Sequence, residues 1–365
     1  MAYWSPPYRH PPGEHAVNHR RFLLTVLLLF VPAVPAALAS ASEYVIQISV
    51  DALGARYLEA LMDANQLPNF KRLQTEGATT NNARTDDDYT ITLPNHTCMI
   101  TGRGVVGPDG HDWTVNITPG KEQTLHNNKG SYVASVFDVA HDHGLRTALY
   151  AGKEKFAIYA QSYNAENGAV DAVGGHSRGK IDVFEAKSDS AQLIRDFVAA
   201  MKDKPFQYSF IHFHDPDTAG HAYGWGSKPY NDAVRTVDRC LGPIFDLVEQ
   251  DPRFHGRTTI TLTADHGGKD FEHGDIHEPF VYTIPVYVWG CDAARGKDLY
   301  ALNRATRQDP GAGRLLYTDP RQPIRNGDMA NLGMRLLGLP AVPGSTINVK
   351  QDLNPSDQAA KKKAA

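Results

Sequence analysis

Aspartate and histidine residues in the second half of the chain have the spacing of metal ligands. Seven of the sixteen histidines lie within residues 212–277, and several of them stand beside aspartates. Asp217 and His221 are four residues apart, so both side chains would reach one ion from a single helical turn. Asp265 and His266 are adjacent, and the two glycines that follow permit a bend that turns both toward one point. Mixed carboxylate and imidazole ligands suit zinc-like ions.

Two further residues complete a set of six predicted ligands. Asp51 directly follows the first apolar run, and His273 stands in a Glu-His-Gly-Asp segment, with His277 as a rival four residues on. Each motif is weak alone, because an Asp-His pair is commonly a solvated loop. Together they suit two ions, and two ions about 4 Å apart would clamp the attacking and leaving oxygens of an in-line displacement.

A threonine supplies a candidate nucleophile. Residues 91–97 read Ile-Thr-Leu-Pro-Asn-His-Thr and lead into a helical stretch that stops at Gly102. Pro94 suits the first turn of a helix, so Thr92 is expected near the N-cap, where threonine normally has a structural role. A helix N-terminus also attracts negative charge, and a hydroxyl becomes nucleophilic beside a metal ion or base. Given two ions nearby, we predict that Thr92 attacks phosphorus.

The elements that must position these residues are alternating strands and helices. Polar clusters follow four apolar, β-branched runs, and a fifth run is a further strand candidate; the five are 44–50, 145–150, 207–213, 258–263 and 284–289. Helical patterns lie between them, as at 191–201 and 231–249. This alternation predicts an α/β fold of three αβα layers with a mostly parallel central sheet. Ligands bind beyond the carboxyl ends of such strands, so the polar clusters should meet there.

Composition and the chain ends set the domain prediction. The net charge is −4 over 365 residues with both signs interspersed, which argues against a nucleic-acid groove. We predict a catalytic domain at 42–352, a small cap at about 157–183 and a disordered tail at 353–365. Three cysteines would allow one disulfide after export, but without a Cys-x-x-Cys pair they are interpreted as buried structural residues.

Residues 1–41 have the pattern of a secretory signal. Arg20 and Arg21 precede an apolar run at 22–39 that contains two prolines, and small residues follow it. An uncleaved membrane anchor is the alternative, since the run is just long enough. Cleavage predicts a periplasmic or secreted protein without a stable membrane span.

The combined motifs resemble the alkaline phosphatase superfamily, and within it the type I phosphodiesterase/nucleotide pyrophosphatase group. The resemblance covers nearly the whole mature chain. The segments that carry it are Asp51, 92–96, 101–102, 215–221, 265–267, 273–274 and the closing stretch 328–345.

The resemblance implies a two-metal hydrolase of phosphodiester or pyrophosphate bonds that works through a phosphothreonine on Thr92. One zinc-like ion would be held by Asp217, His221 and His273, and the other by Asp51, Asp265 and His266. Asn116, at a family-like offset from the nucleophile, would donate a hydrogen bond to a phosphoryl oxygen; a turn asparagine is the alternative reading. The expected partner is a small phosphorylated substrate.

Two departures leave the substrate open. Leu93 stands where nucleotide-cleaving members often have an aromatic residue. Lys153 and Lys155 resemble the paired lysines by which phosphonoacetate hydrolases hold a carboxylate, so we predict substrate binding for both, with solvated charges as the alternative. Phosphonate or phosphomonoester hydrolysis is therefore the second reading, and an exported, non-catalytic metal-binding protein is the third.

Overall fold

The computed structural model describes residue 1 and residues 42–357. Nearly all of the predicted signal or anchor at 1–41 and the last part of the predicted tail lie outside these residues. Within the described part of the chain, no helix is both long enough and apolar enough to cross a bilayer.

An eight-stranded sheet in the order β4-β3-β5-β1-β6-β7-β2-β8 forms the centre of the fold. The strands are β1 (Tyr44–Val50), β2 (Ala78–Arg84), β3 (Thr147–Ala151), β4 (Val183–Ala186), β5 (Tyr208–Phe213), β6 (Thr258–Thr263), β7 (Thr283–Gly290) and β8 (Lys297–Asp298). The five strands from β4 to β6 run parallel, β7 is antiparallel to both its neighbours, and β8 is parallel to β2. The prediction of a mostly parallel sheet is confirmed.

The central strands match the predicted runs because their sequences are mostly apolar or β-branched. Every residue of β3, β5 and β6 is buried, as expected for parallel strands covered on both faces. The strand β2 was not predicted. Its sequence contains Asn81 and Asn82, which are disfavoured in strands, and its pairing with β7 shifts register between Thr80 and Ala83.

Helices cover both faces of the sheet, which confirms the predicted three layers. They are α1 (Ala55–Asp63), α2 (Pro68–Glu76), α3 (Thr92–Thr101), α4 (Leu125–Lys129), α5 (Val136–Asp142), α6 (Ala157–Ser162), α7 (Ser190–Asp203), α8 (Asp215–Tyr223), α9 (Lys228–Gln250), α10 (Pro279–Tyr282), α11 (Leu299–Leu302) and α12 (Asp328–Leu336), with a 3₁₀ turn at Glu154–Phe156. The helices α3, α5 and α12 contact one another, α1, α2 and α7 contact α9, and members of both groups contact the sheet.

The segment predicted as a cap lies in the connection from β3 to β4. Two parallel neighbouring strands need such a crossover. Its last part returns to the start of β3, where Thr147 donates its hydroxyl to the Lys180 carbonyl at 2.5 Å and its backbone N–H to the Asp182 carboxylate at 2.8 Å. Because Thr147 begins the strand, this part lies at the edge of the sheet opposite to the predicted site.

The structure changes two smaller predictions, the end of the packed domain and the burial of the cysteines. The packed chain continues past residue 352, because Leu353 is fully buried and the Asn354 backbone N–H donates to Asn303 Oδ1 at 2.7 Å. Cys98 and Cys240 are buried and Cys291 is partly exposed, and all three are free thiols.

Candidate active site

Four chemically important residues directly follow the ends of neighbouring parallel strands. Asp51 follows β1, Lys153 follows β3 by two residues, and Asp265 follows β6 by two. Asp217 lies in the first turn of α8, which begins two residues after β5. The parallel pairing brings these strand ends to one edge of the sheet, as the sequence predicts.

The first group of predicted ligands comes together as expected. The Asp217, His221 and His273 side chains each offer an atom within 4.8 Å of the others. Asp217 Oδ1 lies 3.4 Å from His221 Nε2 and 4.0 Å from His273 Nε2. His277 is exposed on a turn and is not part of this group, so the structure favours His273 over its rival.

The second group is buried completely. The Asp51, Asp265 and His266 side chains are 0% exposed, and their ligand atoms also lie within 4.8 Å of one another. His266 Nε2 is 3.5 Å from Asp51 Oδ1 and 3.3 Å from Asp265 Oδ2. Asp265 uses its other oxygen, Oδ1, to accept the backbone N–H groups of Ala52 and His266 at 2.9 Å each.

Backbone carbonyls orient all three histidines of the two groups. In each ring Nδ1–H donates to a carbonyl oxygen, which leaves Nε2 as a bare lone pair facing the carboxylates. The acceptors are Phe271 for His221 (3.1 Å), Gly267 for His266 (2.7 Å) and Thr90 for His273 (2.7 Å). This is the tautomer that a metal ion requires.

Unpartnered buried atoms show that these groups fit divalent cations. Asp51 Oδ1, Asp217 Oδ1, Asp265 Oδ2 and His266 Nε2 are buried without a hydrogen-bond partner. Such atoms are costly unless something compensates them, and all four point into the two groups. Burial lowers the pKa of His266 to about 3 and lowers that of His273, so both rings are neutral ligands near neutral pH.

Lys153 links the two groups. Its ammonium donates to Asp51 Oδ2 and to Asp217 Oδ2, both at 2.6 Å. Burial opposes the charge, but these two carboxylates raise the pKa of Lys153 above its ordinary value, so it is a cation. The predicted substrate lysine thus contacts the predicted metal ligands themselves, because the end of β3 lies beside the end of β5. Its contact with substrate stays a prediction.

The structure places Thr92 at the first position of α3 rather than at its N-cap. The N-cap is Ile91, and the helix has no side-chain cap, so the capping role considered for Thr92 is wrong. Asn116 Nδ2 donates to the Thr92 hydroxyl at 3.3 Å, and Asn116 Oδ1 accepts the Leu93 N–H at 3.3 Å. Lys155 Nζ donates to Asn116 Oδ1 at 3.1 Å. Thr92, the Asn116 side-chain amide and Lys155 therefore form one chain of contacts.

The nucleophile segment is also tied to the metal ligands. Thr90 donates its hydroxyl to the His273 carbonyl at 2.6 Å and accepts His273 Nδ1–H at its own carbonyl. His96 donates Nδ1–H to the Thr92 carbonyl at 2.8 Å, and the same nitrogen lies 3.5 Å from Asp265 Oδ2. These contacts tie the segment that carries Thr92 to His273 of the first group and, through His96, to Asp265 of the second.

Two histidines that support the site were not predicted to belong to it. His212 donates Nε2–H to Asp51 Oδ2 at 3.1 Å, while its Nδ1 accepts the Gly152 N–H. His96 Nε2 accepts the Ser49 hydroxyl at 2.8 Å. The alternation of His212 with His214 at the end of the predicted strand was the available signal for that residue.

Comparison with known proteins agrees with the geometry. A family profile described as type I phosphodiesterase / nucleotide pyrophosphatase matches residues 45–283, more than half of the chain. The chain belongs to this family. All six predicted ligands, Thr92, Asn116 and both lysines lie within the matched residues.

The similarity to curated relatives covers only part of this chain and part of each relative. The chain is 35% identical over 132 residues, 36% of its length, to GPI ethanolamine phosphate transferase 1 of Aspergillus oryzae. It is 27% identical over 238 residues, 63% of its length, to 2,3-bisphosphoglycerate-independent phosphoglycerate mutase of Synechococcus elongatus. It spans 13% and 40% of the lengths of these two relatives.

Solved structures share the fold of this family member. An inactive variant of murine ectonucleotide pyrophosphatase / phosphodiesterase 5 in complex with AMP matches with a TM-score of 0.58 at 14% identity, covering 85% of this chain and 99% of that one. A protein of the alkaline phosphatase superfamily from Vibrio parahaemolyticus matches with a TM-score of 0.53 at 14% identity, covering 86% and 71%.

A glycine substitution tests how tightly the second group is built. A Cβ at Gly267, next to His266, would lie 2.1 Å from the Phe280 carbonyl oxygen and 2.9 Å from the Gly54 Cα. Backbone atoms cannot move aside cheaply, so Gly267→Ala should destabilise the fold by about 1–3 kcal/mol and lower the metal content. Thermal unfolding and metal analysis measure both. Gly274→Ala, next to His273, is the matched control because nothing lies within 4 Å of its Cβ; equal behaviour of the two variants would contradict the prediction.

Proposed function

We propose that the chain hydrolyses phosphodiester or pyrophosphate bonds with two divalent ions, of zinc type, and forms a phosphothreonine on Thr92. The observation that carries the proposal is the pair of three-ligand groups with unpartnered buried ligand atoms beside Thr92. The donor sets, one His and two Asp in one group and two His and one Asp in the other, suit zinc.

The protein groups divide the work as follows. Bound ions would supply charge stabilisation for the attacking and leaving oxygens. Thr92 Oγ forms a bond to phosphorus as the bond to the leaving oxygen breaks; the hydroxyl proton passes to solvent, and the leaving oxygen takes up a proton. Asn116 Nδ2, already 3.3 Å from Thr92 Oγ1, donates to a phosphoryl oxygen. In the second step a water oxygen bonds to phosphorus and Thr92 Oγ leaves, which regenerates the hydroxyl.

Water is not the only conceivable acceptor for the second step. Two of the relatives are a phosphate transferase and a mutase, and these names indicate transfer of a phosphoryl group rather than hydrolysis. Our proposal favours water for this chain because of the family that its sequence matches. Measuring the products with and without an added alcohol separates the two: hydrolysis of a diester gives the monoester, whereas transfer gives a new diester that contains the added alcohol.

Phosphonate or phosphomonoester hydrolysis is the second candidate. Lys153 and Lys155 add positive charge to the site, and within the described residues Lys155 has no ion pair, since its Nζ contacts only oxygens of Asn116. A cation without a carboxylate partner beside the nucleophile suits a substrate that carries an additional negative charge.

The site of action is proposed to be outside the cytoplasm. The proposal rests on the signal pattern at residues 1–41. Determining the N-terminus of the protein recovered from the periplasm or the medium tests it; a new terminus near residues 39–42 supports export, and an intact N-terminus in the cytoplasm overturns it.

A substrate panel distinguishes the candidates. We expect turnover of bis-p-nitrophenyl phosphate or of a nucleotide to exceed that of p-nitrophenyl phosphate and phosphonoacetate. Preference for phosphonoacetate or the monoester would favour the second candidate. No turnover of any of the four by protein that holds two ions per chain would favour a non-catalytic metal-binding role.

Replacing the nucleophile should remove turnover without removing metal. Thr92→Ala is expected to lower kcat by at least about a thousandfold, because no other hydroxyl takes its place, while metal content stays near two ions per chain. Thr101→Ala makes the same change in the last turn of the same helix, where the hydroxyl donates only to the Thr97 carbonyl. The control should retain turnover; retained turnover in Thr92→Ala would exclude Thr92 as nucleophile.

Chelation should inactivate the enzyme, and zinc should restore it. Dialysis against a chelator removes ions from the two groups, and the buried carboxylates cannot act on phosphorus themselves. Activity and metal content measured together during stepwise zinc addition should rise in parallel to two ions per chain. Full activity in protein shown to be free of metal would contradict the proposal.

A further inference from the structure

We propose that Lys153 is a positioning residue, a tethered counter-ion that holds the two ligand groups in place before metal binds and lowers their affinity for it. The inference rests on the proposed metal sites. It goes beyond them because it assigns a role to Lys153 that involves neither substrate nor the reacting atoms.

Each of the two carboxylates that Lys153 joins directs one oxygen to the Lys153 ammonium and the other to a histidine. Asp51 turns Oδ1 toward His266 Nε2 and Oδ2 toward Lys153 and His212. Asp217 turns Oδ1 toward His221 Nε2 and Oδ2 toward Lys153. Both Oδ1 atoms are the unpartnered ones. Lys153 therefore leaves a ligating oxygen free on each side, and the ammonium and two ions are sterically compatible.

The charges explain why a bridge is needed. Asp51, Asp217 and Asp265 gather at one edge of the sheet, and burial works against their ionisation. Asp51 is fully buried, and the Lys153 ammonium lies 2.6 Å from Asp51 Oδ2, where it offsets the buried negative charge. Without a cation the carboxylates would repel one another and the groups would separate.

The bridge is held by its surroundings. The Gly152 N–H, one residue before Lys153, donates to the His212 carbonyl at 3.0 Å and also contacts His212 Nδ1. A Cβ on Gly152 would lie 2.7 Å from the His214 ring, so the backbone passes β5 closely here. The Lys153 side chain is only 17% exposed. Its ammonium is therefore fixed beside the two carboxylates.

This arrangement has two opposite consequences. The ammonium stabilises the metal-free chain, because removing one partner of a buried ion pair leaves an uncompensated charge. It also repels a divalent ion in either group, so metal binds less tightly than the same ligands would bind it alone. By linkage, the variant that loses the ammonium must lose more stability without metal than with it.

The experiment compares Lys153→Met with Lys155→Met. Lys155 is on the same turn, is half-buried and contacts no carboxylate, so it is the matched control. Thermal unfolding is followed in excess chelator and in saturating zinc, and the zinc Kd of the folded protein is measured by competition with a chromophoric chelator. None of these readouts depends on turnover.

We expect Lys153→Met to lower the midpoint of unfolding in chelator on the order of 5 °C, and to lower the zinc-loaded midpoint by clearly less. The zinc Kd should fall about tenfold. Lys155→Met should leave all three quantities near wild type, and Lys153→Arg should restore the midpoint in chelator. Lys153→Met protein that can be purified only with zinc is treated with chelator afterwards. Its unfolding under conditions in which the wild type stays folded also shows that Lys153 stabilises the metal-free chain.

Two outcomes would overturn the inference. An unchanged midpoint in chelator would show that the bridge does not stabilise the metal-free chain. Equal falls with and without zinc, with an unchanged Kd, would show an ordinary structural ion pair. Failure of the proposed function would look different from both outcomes. The wild-type protein itself would then bind no zinc or turn over no substrate, independently of any change at Lys153.

Discussion

The burial of three carboxylates at one edge of the sheet is the constraint on which the rest of the site depends. Asp51 and Asp265 are fully enclosed and Asp217 is nearly so. Desolvation of three anions within a few ångströms costs more than neighbouring hydrogen bonds return, so the fold must supply positive charge. Lys153 provides part of it from the protein, and the unpartnered ligand atoms indicate where external cations provide the remainder.

The sheet makes that concentration of charge possible. Asp51 and Asp265 stand just beyond the ends of two paired, buried parallel strands, and Asp217 stands in the first turn of the helix after β5. His221 comes from that same helix and the other two histidines come from loops, and backbone carbonyls aim all three. The Asp51 and Asp265 side chains are fully buried, whereas His221, with its side chain 42% exposed, lies on the solvent side.

The sequence predicted what strand periodicity and ligand spacing can encode. The bounds of β1 and β6 and the mostly parallel sheet follow from apolar runs that end in polar residues, whereas the division of the six residues into two groups was implied by the resemblance to a known family. It did not predict what depends on strand order. Lys153 meets Asp217 only because β3 lies beside β5, and the 102-residue separation between Lys153 and Asp51 gives no local signal. The strand that contains Asn81 and Asn82 was not predicted, because asparagine is disfavoured in strands and only the pairing with β7 and β8 reveals it.

The paired hydrogen bonds between Thr90 and His273 have a consequence for how this site can change over time. They fasten the start of α3 through a main-chain carbonyl on each side and the hydroxyl of Thr90, two residues before Thr92. Neither hydrogen bond involves the side chain at position 92. A different side chain at that position would leave both of them in place, so the same backbone arrangement is compatible with other chemistry.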